Sequence, residues 1–282
     1  MVINNSMSNL EPKQYQELAI FGDSYADSNI HSDFALGWAH YLCDINGWNI
    51  ETDAVQTGLS GAGNWWAYSQ FCKALDNYHI KNAVFVFTDT GRLPIATLTP
   101  DITPSVSFLS NIYDTIDQQD STPMFGPGAT FNEYQVIKMW REVFTDDQRY
   151  DLLEWINRSC ARDCIQLAIK NQINFTVVVP FQFSMRNYND ILQPDQHQII
   201  TGVDTVSLAE MQLHNPDVAG VDWGENIYDT RTNHLNNHNN KILASLIQQG
   251  LSGGKGVIDF SERDDLDTSP ETLQQYGTIL FK

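Results

Sequence analysis

The 282-residue chain carries 35 acidic against 16 basic side chains, a formal net charge of −19, and 42% of its residues are hydrophobic. That apolar share suits a folded chain with a large core and excludes disorder, while the charge excludes nucleic acid as the main partner, since a polyanion would be repelled. No apolar run approaches the roughly 20 residues of a membrane span, and the opening MVINNSMSNLEPKQYQE has neither the basic start nor the apolar core of a secretory signal, so the expectation is synthesis in the cytoplasm, no signal peptide and no membrane insertion.

Residues 1–16 read as an N-terminal arm. The first apolar run, ELAIFGDS at 17–24, ends abruptly in Gly22, Asp23 and Ser24, as a strand ends in a turn. DFALGWAHYLCDIN at 33–46 sets Ala35, Trp38, Ala39, Leu42 and Cys43 on one stripe and stops at Gly47, which predicts a helix. WNIETDAVQ at 48–56 reads as a second strand. The glycine-rich TGLSGAG then opens a helix at 64–78, with Asn64 placed to cap it. NAVFVFTD at 82–89 and NFTVVVPFQF at 174–183 are continuous β-rich apolar runs, the signature of strands buried on both faces of a parallel sheet.

Between those two strands lie a proline-punctuated stretch at 93–145 and a long amphipathic helix at 146–171 that opens on acids. On that helix Cys160 and Cys164 share a stripe with Leu153, Ile156 and Leu167, so they read as buried thiols and not as a disulfide framework. A weaker strand at 197–203 and a last helix at 237–250, ended by Gly250, complete the series. Strands alternating with helices predict an α/β domain over 17–250 with a parallel central sheet of about five strands and helices on both faces. Residues 93–145 read as an insertion, and 251–282 as a tail that packs on the domain or on a partner. Ligands bind such sheets outside the carboxyl ends of the strands, where Ser24, Thr88 and Asp89 stand.

A serine hydroxyl needs a base to take its proton and donors to hold the oxyanion. Ser24 stands at a strand end, the Gly61-Ala62-Gly63-Asn64 run allows close backbone approach, and His234 directly precedes the last helix. His238 lies one helical turn beyond His234, but no third ligand has suitable spacing, so no metal is expected. The acids near Ser24 (Asp23, Asp27 and Asp33, with His31 among them) are explained by solvation and helix N-terminal preference.

Together these blocks resemble the SGNH/GDSL hydrolases, of the kind seen in bacteriophage genomes: IFGDSYAD resembles the nucleophile block, SGAGN the second block and HLNNHNNKILA the last. The resemblance implies a flavodoxin-like three-layer fold, with Ser24 as nucleophile, His234 as general base, and the N–H groups of Gly61 and Ser24 in the oxyanion hole. The family's third block carries Gly-x-Asn-Asp, but the matching strand end here is VFVFTDTGR, and Thr90 stands nearest the Asn position. Position 231, where the family places the Asp that orients the histidine, is Arg, so Asp229 is the nearest carboxylate. Asn64 and Trp65 border the proposed pocket as substrate-binding candidates. Phe108, Tyr113, Phe125, Tyr134 and Trp140 of the insertion offer a sugar-stacking wall.

The expected function is therefore a serine esterase without cofactor that removes small acyl groups, O-acetyl from a carbohydrate above all. The alternative is a weakly active or non-enzymatic virion structural or receptor-facing protein on the same fold, with the tail serving a homo-oligomer or virion assembly.

Overall fold

The computed structural model describes residues 13–26, 36–59, 62–88, 90, 146–206 and 235–267. Six strands form one all-parallel sheet: β1 (Gln14–Phe21), β2 (Ala54–Gln56), β3 (Tyr78–Val86), β4 (Asn174–Val179), β5 (Gln198–Thr201) and β6 (Gly256–Asp259), in the order β2-β1-β3-β4-β5-β6. The helices between them are α1 (Trp38–Asn46), α2 (Asn64–Asn77), α3 (Asp146–Lys170) and α4 (Asn237–Leu251). Short 3-10 turns follow β4 (η1, Gln182–Asn187) and β6 (η2, Phe260–Glu262). The strand order reverses between β1 and β3, the switch point at which a crevice opens above the carboxyl edge of a doubly wound sheet.

Side-chain alternation sorts the core into two halves. On one face Leu18, Ile20, Val84, Val86, Val178 and Ile200 pack under α1 and α4, through Trp38, Leu42, Leu243 and Ile247. On the other Ala19, Phe21, Ala83, Phe85, Val177 and Val179 meet α2 and α3, through Phe71, Ala161, Cys164 and Ile165. Phe21, Phe71 and Phe85 interlock there with ring centroids 5.0–5.7 Å apart, a geometry that adds to simple burial. The three-layer α/β architecture follows from strands that are apolar on both faces.

Three elements differ from the expectation. The chain pairs from Gln14 onward, with Gln14 opposite Tyr78, so the sheet begins inside the segment read as an arm. The run at 48–56 is a strand only at Ala54–Gln56. Before it Asn49 N donates to Asp53 Oδ2 at 2.9 Å and Glu51 N to Asn49 Oδ1 at 2.9 Å, and this Asn/Asp turn chemistry overrides the apolar alternation of Trp48 and Ile50. The sheet also does not end at residue 250. Val257 and Ile258 of β6 pair with Ile199 and Ile200, so part of the predicted tail is the sixth strand and covers what would otherwise be the exposed edge of β5. Residues 93–145, 207–234 and 268–282 lie outside the described residues, with the insertion, its aromatics and the end of the tail among them.

The four cysteines are free thiols. Burial pushes Cys43 and Cys160 up to about 12 and raises Cys164 well above the ordinary thiol value, so these three are protonated at neutral pH, and Cys160 and Cys164 are the buried thiols that the stripe on α3 predicts.

His197, at the foot of β5, is 5% exposed, and neither ring nitrogen has a hydrogen-bond partner. Its ring lies 4.9 Å from that of Phe175. Burial lowers its pKa, and the charge of Asp195 opposes this. A depressed histidine stabilises the fold fully above its unfolded value of about 6.5 and loses that contribution as pH falls from there through the lower folded value. His197→Leu is accordingly expected to keep or raise stability at pH 7.5 and to flatten the fall in urea midpoint as pH drops below about 6.5. An unchanged slope would refute this.

Candidate functional site

β1 runs into the turn that holds Ser24. Ala26 N donates to Asp23 O at 2.9 Å and Tyr25 N to Asp23 Oδ1 at 3.0 Å, so Asp23 folds the chain back on itself directly after the strand. Gly22 makes that turn possible: its φ is +155°, and a Cβ there would sit 2.6 Å from both the Cβ and the carbonyl oxygen of Val86. Only glycine lets the end of β1 lie this close to the end of β3. Ser24, two residues beyond Gly22, is 8% exposed.

The segment after β2 runs alongside. Thr57 N donates to Ile20 O and Leu59 N to Gly22 O, each at 3.0 Å, which carries the glycine-rich loop to the Ser24 turn. Leu59 and Ala62 bracket the loop, closed by Ala62 N donating to Leu59 O at 2.9 Å. Gly61, assigned to the oxyanion hole, lies outside the described residues.

The start of α2 and the end of β3 are joined by a buried polar network that sequence reasoning missed. Gly63, not Asn64, is the N-cap of α2, and it provides no side-chain cap. The free N–H of Asn64 is instead met from another helix, by Asn157 Oδ1 of α3 at 3.1 Å. Asn64, 1% exposed, donates through Nδ2 to Asn157 O and to the Tyr188 hydroxyl, and its Oδ1 accepts from Thr88 N at 3.0 Å. Its carboxamide thus holds the end of β3 against α2 and α3, a clamp where a substrate contact was expected. Asn157, fully buried, donates from Nδ2 to Thr90 O at 2.9 Å and Leu153 O at 3.0 Å. A polar residue in the middle of α3's apolar stripe was the available signal. Asn157→Leu is expected to lower stability by about 2–4 kcal/mol, because it strands the buried Asn64 N–H and Thr90 carbonyl. Equilibrium urea unfolding measures it, and a loss below about 1 kcal/mol would contradict the clamp.

Two threonines crown β3. Thr90 is 4% exposed, and its Oγ1 accepts from Asn187 Nδ2 at 2.8 Å, so the hydroxyl proton is directed elsewhere. Thr88 is 1% exposed, and its Oγ1 has no hydrogen-bond partner, a second hydroxyl able to donate. Trp65 is 46% exposed and tilts against Tyr68 at 6.3 Å, whereas Trp66 is anchored by its indole N–H to Thr57 O at 2.7 Å. One tryptophan of the pair is available to a ligand and the other is structural.

His234 and Asp229 lie outside the described residues. The chain re-enters at Leu235, fully buried in the same apolar cluster as Tyr25, Ala26 and Trp38. The asparagines that follow explain the polar NNHNN run. Asn236 caps α4 by accepting from Asn239 N at 2.8 Å. Asn240 accepts from Trp38 N, the first N–H of α1, and Asn237 from Leu36 N just ahead of the helix, each at 3.0 Å. The Trp38 indole in turn donates to Tyr25 O at 2.6 Å. This chain of contacts ties the start of α4 to the Ser24 turn. A further carboxylate arrives from β5: Asp204 Oδ1 accepts from the Tyr25 hydroxyl at 2.6 Å.

Among the described residues no group of three histidine, cysteine or acidic side chains can hold a metal ion, and no helix is long and apolar enough to cross a membrane. His238 is exposed, with Nε2 2.9 Å from Asp265 O. No protein-family model matches the chain, and neither the curated proteins nor the solved structures include a significant match.

Proposed function

We propose that the chain is a serine ester hydrolase of the SGNH/GDSL kind that removes small acyl groups, with O-acetyl esters of a carbohydrate as the substrate class. One observation carries the reading: Tyr25, which follows Ser24, and Leu235, which follows His234, share one buried cluster although 210 positions separate them. In this reading Ser24 and His234, the chain neighbours of these two cluster members, come together in one pocket.

In the proposed reaction His234 takes the proton of the Ser24 hydroxyl as it attacks the ester carbonyl. The oxyanion is held by the N–H groups of Ser24 and Gly61 and by the Thr90 hydroxyl. His234 then protonates the leaving alcohol, and water releases the acyl group by the reverse sequence. Asp229 is the proposed orienting carboxylate. Asn64 supports the pocket from behind, and Trp65 offers an exposed face to the sugar.

The test is incubation with a fluorophosphonate probe, then peptide mapping. Covalent labelling at Ser24 with hydrolysis of p-nitrophenyl acetate supports the proposal. A folded protein that neither labels nor turns over this ester refutes it. A second reading, a virion component that binds without turnover, is favoured by the 8% exposure of Ser24, and the same experiment separates the two.

A further inference from the structure

We propose that the outward face of α3 carries a separate binding subsite for a neutral oligosaccharide, built on Trp155. The indole is 66% exposed, the most exposed of the large apolar side chains in the described core and surface. It borders an open cavity of about 530 Å³ rimmed by Asp151, Glu154, Arg158, Arg162 and Asp190, within the range of small-molecule sites.

The lining chemistry selects the ligand. An indole face is flat and apolar, matched to the C–H face of a pyranose ring. Around it stand both acceptors and donors, which suits hydroxyl groups, since each hydroxyl donates and accepts. The charges largely cancel. Arg158 bonds Glu154 at 3.0 Å and forks onto both oxygens of Asp190, so among the described residues of the rim two of the three carboxylates are neutralised. Arg162 reaches Asp163 at a long 3.4 Å, so most of its five N–H donors stay available. A quaternary ammonium would need uncompensated carboxylates around the ring, and the Arg158 fork has taken two of the three. A nucleic acid is repelled by the net charge of −19.

Ser24 is not among the residues that line this cavity, and the inference does not rest on the esterase reading. Asn157, between Trp155 and Arg158 in sequence, points inward to Thr90 O, so Trp155 stands on the outer side of the same helix at the carboxyl edge of the sheet.

The full chain would be titrated with cellohexaose, chitohexaose, xylohexaose and maltohexaose, with binding read by calorimetry and by tryptophan fluorescence. The expected result is saturable binding of at least one probe, weakened more than about tenfold in Trp155→Ala. Trp155→Tyr should keep part of the affinity. Ser24→Ala should keep all of it, as should Tyr15→Ala, which removes an aromatic of β1 that is 55% exposed and not part of this cavity's lining. Because Ser24→Ala removes the esterase alone, loss of turnover and loss of binding are read independently. Three results would overturn the proposal: no binding of any probe up to about 10 mM, binding indifferent to Trp155→Ala, or Trp155-dependent binding of tetramethylammonium in place of the sugars. An unchanged melting temperature for Trp155→Ala shows that the exposed ring was not holding the fold.

Discussion

Ser24→Ala is expected to lower kcat on p-nitrophenyl acetate by about 10⁴- to 10⁶-fold, close to the rate left by the rest of the pocket. The size follows from the chemistry: without the hydroxyl no acyl-enzyme forms, and a difficult hydrolysis is no longer divided into two easier steps. His234→Ala should cost a similar factor, because an unassisted serine is a weak nucleophile at neutral pH. The double variant should be no slower than the worse single one, since base and nucleophile act as a unit. Steady-state kinetics on all three proteins, with circular dichroism to verify the fold, measures this. Multiplicative losses would mean that the two groups act in different steps and would remove the pairing. KM should change little, as the hydroxyl contributes to the transition state more than to ground-state binding.

The second large effect falls on the backbone that holds Ser24 in place. Gly22→Ala is expected to destabilise the protein by about 3 kcal/mol or more, and to reduce activity beyond that by moving the turn. The added Cβ would meet Val86 Cβ and Val86 O at 2.6 Å. These atoms belong to the strand itself and cannot swing away like the end of a flexible side chain. Truncating the neighbour with Val86→Ala should therefore not rescue the variant, because alanine keeps both atoms. Gly47 is the control. It has φ +68° and caps α1, but a Cβ there meets nothing within 4 Å, so Gly47→Ala should cost only about 1 kcal/mol. Urea denaturation compares the two, and equal losses would show that the close approach of β1 and β3 is not what demands Gly22.

The same close approach shows how the sequence and the folded chain divide the information. Apolar runs such as AVFVF and FTVVV can be satisfied only between two layers of helices, so sheet, helices and parallel order were legible in local pattern. The Gly-Asp-Ser turn was legible too, because glycine and aspartate act on their immediate neighbours in the chain. What local pattern could not reveal were interactions whose partners are far apart in sequence. Asn64 reads as a helix cap or a ligand contact until α3 brings Asn157 to its N–H, 93 positions away. The asparagine run at 236–240 reads as polar surface until the start of α1 arrives and the N–H groups of Leu36 and Trp38 need acceptors, 201 and 202 positions away. Residues 256–259 look like a flexible tail because glycines surround them, and they become a strand only when β5 presents an unpaired edge. Short-range sterics and hydrophobic periodicity are written in the order of residues. The satisfaction of buried polar groups is a property of the assembled chain, and here it set the sixth strand and the Asn64–Asn157 clamp.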